Sequence, residues 1–289
     1  MTKQNEDQER RLSDQQWVVY ARSGGWAALG LRELWEYREL LFFLIWRDVI
    51  VRYKQAVLGV TWAILQPLLT MIVFTVVFNR MLGVQSSSAG VPYEVFSFAG
   101  LLPWQFFAGA LGRSSSSVVG NANLLTKVYF PRLVMPLSGV LAGLVDFAIS
   151  FVVLLALMGF YRVAPTWNIV FLPLFLLLAI AVALGVSLWL SALNVLYRDV
   201  QYVIPFLVQL WMFVSPVIYS VSSIKSPALR VLFALNPMTV VITGFRWALL
   251  GEQAPIGIYT WISVASVFVV LVGGLFYFKR MERGFADVV

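Results

Sequence analysis

The sequence predicts an all-α integral membrane protein: six transmembrane helices, an amphipathic interface helix ahead of them, and a re-entrant helical hairpin before the last span. Three observations carry this. Of the 289 residues, 60% are hydrophobic and only 12% charged, about half the charged fraction of a soluble domain. The charges are gathered between long uncharged runs, each near the ~20 residues needed to cross a bilayer. The basic residues are also distributed unevenly between the connections on the two sides of those runs.

The opening 1–34 is polar and reads as a cytoplasmic tail. It has no apolar core followed by a small-residue cleavage site, as a signal peptide requires. The segment 35–55, "WEYRELLFFLIWRDVIVRYKQ", carries seven charges, too many for a span. At 100° per residue Trp35, Phe42, Trp46, Val49 and Tyr53 form a stripe free of charge, with Glu36, Glu39, Arg47 and Lys54 elsewhere. That pattern suits a helix in the membrane interface, with aromatics at headgroup depth and cations reaching to water. A plain membrane anchor is the alternative.

Uncharged or nearly uncharged runs then place spans at about 57–79, 95–119, 134–160, 168–196, 201–220 and 258–278, a transmembrane domain over 57–278. The stretch 231–251 is also apolar, but Asn236-Pro237 divides it. The residue before a proline avoids the helical basin, so this segment reads as a hairpin that enters and leaves on one side. With six spans, fifteen Lys and Arg fall on the side of the termini and five on the other. The positive-inside rule puts both termini, including the tail 279–289, in the cytoplasm. Topology thus accounts for the net charge of +7 without nucleic acid.

Several chemistries are excluded by residue type. There is no Cys and no His, hence no disulfide, no thiolate metal site and no side chain with an ordinary pKa near neutrality. No GxxxxGK[ST] motif is present to cradle a triphosphate, so no cofactor site is expected in this chain. "RSSSS" (113–117) reads as a helix end near the cytoplasmic surface, its serines bonding to their own helix carbonyls, with a polar cavity lined by them as the alternative. Asp146 is the one carboxylate deep in a span and a functional candidate by default. With no relay partner in sequence, it is expected to bond to another helix, Arg113 of the second span being the nearest cation in the plan. Arg246, in the hairpin, either meets an anionic lipid pyrophosphate or sugar, caps a carbonyl, or pairs with Glu252.

Two short cytoplasmic connections, "LLTKVYFPR" (124–132) and "LNVLYRDVQ" (193–201), each set a cation beside an aromatic. Topogenic charge with an interfacial aromatic belt explains that pattern. So does a pair of short helices offered to a soluble partner.

Five further stretches, with "RDVIVRYKQAVLGVTWAILQPLLTMIVFTVVFNRML" (47–82), run in order along the chain: "VPYEVFSFAGLLPWQFF" (91–107), "NANLLTKVYFPRLVMPL" (121–137), "ALNVLYRDVQ" (192–201), "SPVIYS" (215–220) and "NPMTVVITGFRWALLG" (236–251). Together they resemble the membrane subunit of bacterial polysaccharide-export ABC transporters, the permeases for O-antigen and teichoic acid. The resemblance runs from about residue 33 to the C-terminus. It implies a half-transporter in the bacterial inner membrane. Two copies form the pathway for a lipid-linked polysaccharide, and two copies of a separate ABC ATPase, holding ATP and magnesium, drive it. It also implies that coupling helices at 121–132 and 196–201 contact the ATPase through Leu124, Lys127, Tyr129, Phe130, Arg132, Tyr197, Arg198 and Asp199. The helix at 35–55 becomes the interface helix, and 231–251 the re-entrant element near the exit.

For a glycan the pathway needs flat apolar faces mixed with hydroxyls and amides. Phe74 and Phe78 of span one, Trp104 and Phe106 of span two, and Gln209, Trp211, Phe213 and Tyr219 of span five supply that mixture. The nearest alternative is the same fold exporting a drug or a free lipid. A membrane-embedded transferase is disfavoured by the lack of converging acids or a base, and a secondary transporter by the lack of inverted repeats and midplane ionisable clusters.

Overall fold

The computed structural model describes residues 31–54, 59–86, 90–125, 130–221, 224, 226–254 and 257–285. All regular structure among them is helical. Two helices precede the spans, α1 (Leu31–Glu36) and α2 (Arg38–Lys54). Next come α3 (Gly59–Phe74), which runs on as a π-helical turn over Thr75–Met81, then α4 (Tyr93–Gly120), the single turn α5 (Ala122–Leu125) and α6 (Val134–Phe160). A 3-10 turn at Trp167–Phe171 leads into α7 (Leu172–Leu196). The chain continues through α8 (Val200–Val214), α9 (Pro227–Leu235), α10 (Pro237–Leu250) and α11 (Ile258–Met281), closed by a 3-10 turn at Glu282–Gly284.

The helix α4 is the hub. Its apolar window is 78% buried, against 22% for Thr61–Met81 and for α11, and it packs on α6, α7 and α10. Small residues let the backbones approach where aqueous hydrophobic collapse gives no drive. At Gly139 of α6 an added methyl would meet the Ser114 backbone at 3.1 Å, and Ser114 Oγ donates to the Pro136 carbonyl at 2.9 Å. On the other flank Gly185 of α7 lies against the backbone of Leu271 and the carbonyl of Gly185 against Gly274, both partners on α11. Trp189 and Tyr277 stack across the same seam with centroids 4.5 Å apart.

Among the described residues five helices are long and apolar enough to cross a membrane, namely Thr61–Met81, α4, α6, α7 (with its leading 3-10 turn) and α11. The expected fifth span, 201–220, differs. Its helix, α8, ends at Val214 after 15 residues, short of the ~20 a bilayer requires. Residues 215–220 leave the helix although they are almost wholly buried. The expected break at Asn236-Pro237 is present, with α9 and α10 meeting at 96°. Asn236 caps α10 by accepting from the Met238 amide at 3.0 Å, with Pro237 at the first helical position, both favoured there. Gly251 ends α10 in the left-handed conformation at φ 69°, where a Cβ is costly.

Candidate functional site

Buried non-helical backbone at membrane depth must find partners for its polar groups, and residues 215–220 find one in Arg246. Its side chain is fully buried. Nη1 donates to the Pro216 and Tyr219 carbonyls at 2.8 and 3.1 Å, Nη2 to the Val217 carbonyl at 2.5 Å, and Nε to the Phe96 carbonyl at 3.3 Å. The guanidinium lies 3.6 Å from the Phe96 ring centroid. Gly100 makes the room, since a Cβ there would stand 2.6 Å from Nη2. Of the readings open for Arg246, the carbonyl cap is the one these bonds make.

Asn236, which sequence reasoning treated only as a helix breaker, is the second tie. Its Oδ1 also accepts from Trp211 Nε1 at 3.1 Å, and its Nδ2 donates to Ser215 Oγ at 2.9 Å and to the Val214 carbonyl at 3.3 Å. Its own carbonyl accepts from Ser263 Oγ of α11. The Asn-Pro pair at a helix start is the signal that points to this capping role.

At the other end of the bundle, α2 packs along α6. Trp35, Phe42 and Trp46 are exposed at 72, 68 and 56%, while Leu44 is 1% exposed. Arg47 pairs with Asp48 at 2.9 Å and donates to Asn121 Oδ1 at 3.0 Å. Tyr53 turns inward and donates to Asp146 Oδ1; Arg52 donates to Asp146 Oδ2. Arg113 joins them from α4, with Nη1 3.2 Å from Asp146 Oδ2 and Nε 3.1 Å from the Gly139 carbonyl. Gly143 leaves no space for a side chain beside Arg113. One carboxylate thus joins α2, α4 and α6. Burial first, then the Asp146 carboxylate, holds the Tyr53 hydroxyl above the ordinary tyrosine range, so it stays a donor.

This cluster opens on a cavity of about 890 Å³ between α3, α4, α6 and α8. Its walls include Trp62, Gln66, Gln105, Phe106, Phe147 and Ser150 as well as Arg52, Tyr53, Arg113 and Asp146. Of the eight aromatics and amides expected along a pathway, Phe106 is the one that borders it. Phe74 and Trp104 are core residues, 7 and 3% exposed. Phe78 sets its ring edge-on to Phe74, and Trp211 packs on Phe107 with its N–H on Asn236. The Tyr219 hydroxyl donates to the Phe213 carbonyl. Gln209 and Phe213 lie exposed on α8. These positions are set by neighbours from distant helices, which residue type does not reveal.

The connection 124–132 divides likewise. Lys127 and Tyr129 lie outside the described residues. Leu124 is exposed, but Phe130 is 6% exposed and packs in a cluster with Leu44, Leu133, Phe278 and Phe285. Arg132 donates to the Glu282 carbonyl, its amide donates to Glu282 Oε1 at 3.3 Å, and its guanidinium stands over the Phe285 ring. So Phe130 and Arg132 fasten the connection to α11 and the turn beyond it, and the ring of Phe130 is turned into the protein. In the second connection Tyr197, Arg198 and Asp199 are exposed.

A helical bundle with five helices among the described residues long and apolar enough to cross a membrane, and a bent pair that would make a sixth, has the build of a multi-pass membrane protein. The family model for ABC-2 type transporters matches residues 39–250, and the chain belongs to that family. It is 35% identical over 256 residues to the O-antigen export system permease protein RfbA of Myxococcus xanthus, covering 87% of this chain and 96% of that protein. It is 28% identical over 257 residues to RfbA of Klebsiella pneumoniae, with 87 and 95% covered. Against the polysialic acid transport protein KpsM of Escherichia coli it is 24% identical over 245 residues, with 83 and 92% covered.

Proposed function

We propose that the chain is the transmembrane subunit of an ATP-driven exporter that moves a lipid-linked polysaccharide of the O-antigen kind across the bacterial inner membrane. The observation that carries this reading is its similarity over nearly the whole length to permeases named for O-antigen export. Both termini lie in the cytoplasm, in keeping with the charge distribution. The exposed aromatics of α1 and α2 sit at the headgroup level.

Two copies form the pathway. In support, α8 is mostly apolar, yet among its residues only Ile204 is buried; Val208, Trp211 and Met212 pack on the core, and most of the remaining surface of the helix is exposed in one chain. A closed two-fold pairing is the commonest way to cover such a face. ATP is bound and hydrolysed by a separate cytoplasmic subunit, two copies of which dock on the connections at 121–132 and 196–201. Tyr197, Arg198, Asp199 and Leu124 are the exposed groups suited to that contact, with Lys127 and Tyr129 beside them in sequence. Phe130 and Arg132 support the contact from within.

The test is depletion of the protein in its own cell. Full-length lipid-linked polymer should build up on the cytoplasmic face while surface polymer falls. Normal surface polymer without accumulation would discard the glycan cargo in favour of a drug or free lipid carried by the same fold.

A further inference from the structure

We infer that the cavity beside Asp146 is a binding site for a phosphate or pyrophosphate borne on a lipid chain, with Arg52 and Arg113 as its ligands. The observation is an imbalance of charge and of hydrogen-bond donors. The cavity is lined by two guanidiniums, Arg52 and Arg113, and one carboxylate, Asp146, while Arg47 and Asp48 pair with each other on α2. Arg47 is spent on Asp48 and Asn121. That leaves Arg52 and Arg113 sharing one carboxylate, a residual positive charge at the edge of an apolar layer.

The donors tell the same story. Arg113 uses Nε on a carbonyl and Nη1 on Asp146, and Arg52 uses Nη1 on Asp146. Among the described residues Arg113 Nη2 and Arg52 Nε and Nη2 have no acceptor. Both side chains keep part of their surface accessible, 22 and 33%, and both line the cavity. A guanidinium offers five donors in a fork that matches phosphate oxygens, and these three nitrogens carry donors that meet no acceptor among the described residues. Tyr53 and Gln105 stand on the same wall.

The remainder of the wall says what the anion is attached to. Trp62, Leu102, Phe106, Phe147, Ile204 and Val208 make the cavity mainly apolar, and α8, one of its sides, is largely uncovered. A free phosphate has no use for such a surface; a hydrocarbon chain entering between α3 and α8 does. Asp146 then has a definite part. It holds the two guanidiniums side by side while the site is empty, and it competes with the incoming anion for them.

The source is either a bilayer phospholipid or the lipid anchor of the transported polymer, and the second rests on the export reading above. Full-length protein in phosphatidylcholine nanodiscs is titrated with a long-chain polyprenyl pyrophosphate, with the uncharged polyprenol, and with phosphatidylglycerol, bound lipid being counted by native mass spectrometry. Polyprenyl pyrophosphate should bind and polyprenol should not. Arg113→Gln and Arg52→Gln should each weaken binding about tenfold or more, the loss of a charge-assisted hydrogen bond, and Asp146→Asn should tighten it. A purely structural joint gives the opposite sign for Asp146→Asn. Should Arg113→Gln fail to fold, the more exposed Arg52→Gln decides. Displacement by phosphatidylglycerol identifies a phospholipid as the occupant; retention against it identifies the anchor of the cargo. Equal binding of polyprenol, or wild-type binding by the arginine variants, overturns the site while leaving the export reading intact. Normal surface polymer after depletion removes that reading and leaves the site.

Discussion

Arg246 and Arg113 are both cations inside an apolar bundle, yet they are held in different ways. Arg246 is fully enclosed, and its Nε and both Nη nitrogens are engaged by four backbone carbonyls and backed by an aromatic face. Arg113 meets one carbonyl and a carboxylate it shares with Arg52, and it borders a cavity. The difference separates structure from readiness to bind. A buried cation whose donors are used up by its own chain supports the fold; one with donors left over beside an open volume is poised for a ligand. Burial alone does not tell these apart, but counting acceptors does.

The largest expected effect breaks the first half of that comparison. Arg246→Met removes the partner of four carbonyls, three of them in the non-helical 216–219 backbone. At about 1–3 kcal/mol per orphaned buried polar group, partly relieved by rearrangement, a loss on the order of 3–5 kcal/mol is expected. It should appear as failure to accumulate in the membrane, or as a sharply lower midpoint of thermal unfolding in detergent. A normal midpoint would mean that these carbonyls have other partners and that Arg246 is not a cap.

Asn236→Ala comes next, because it loosens the same broken segment from its other side. The change deletes an N-cap, strands the Trp211 indole N–H, and frees Ser215. A cost of about 2–3 kcal/mol follows from a cap plus one unpaired donor. Asn236→Asp keeps the acceptor for Met238 and Trp211 but loses the donor to Ser215 and Val214, so it should fall between wild type and Ala in the same melt.

How much of this was legible in the sequence follows from where the partners lie. The long spans were visible because uncharged runs and their flanking cations are local, and the 96° bend because Asn236-Pro237 is a local instruction. The early end of α8 was not. "QLWMFVSPVIYS" stays apolar through Pro216, so hydropathy continues a span whose helix has stopped, and the group that makes the stop tolerable is Arg246, 30 residues further on. Asp146 was marked by being a lone carboxylate in a span. Its pairing with Arg52 and Tyr53 bridges more than 90 residues of sequence, and only the docking of α2 on α6 creates it. Phe130 illustrates the reverse case. The family resemblance implied an outward contact for it, and packing against Phe278 and Phe285 turns its ring inward.

Arg113→Gln sharpens the second half of the comparison. An amide keeps a donor toward Gly139 or Asp146, and Arg52 still neutralises the carboxylate, so the melt should drop by only about 1–2 kcal/mol. Export of polymer should suffer far more than assembly does. If Arg113→Gln melts as low as Arg246→Met, the two arginines are alike and the distinction between them fails.

The smallest effect on stability is expected at a third arginine, Arg198, which is exposed in the connection between α7 and α8. It lies outside the core, and surface substitutions of this kind change stability by roughly 0.5 kcal/mol or less. Arg198→Ala should therefore melt like wild type, and so should Tyr197→Ala, whose ring is 64% exposed. Such residues can matter only through something outside the chain. In a membrane that holds the chain together with its ATPase, the double variant should release the ATPase during purification, or leave its hydrolysis unresponsive to cargo. Those readouts separate the exposed connection from the buried one. Phe130→Ala, which empties a place in the cluster of Leu44, Phe278 and Phe285, should lower the melt before it touches coupling. Loss of coupling in the Tyr197 and Arg198 variants at unchanged melting temperature would assign the contact to 196–201. An unchanged ATPase response would move the contact to Leu124, Lys127 and Tyr129, in the part of the first connection that Phe130 and Arg132 tie down.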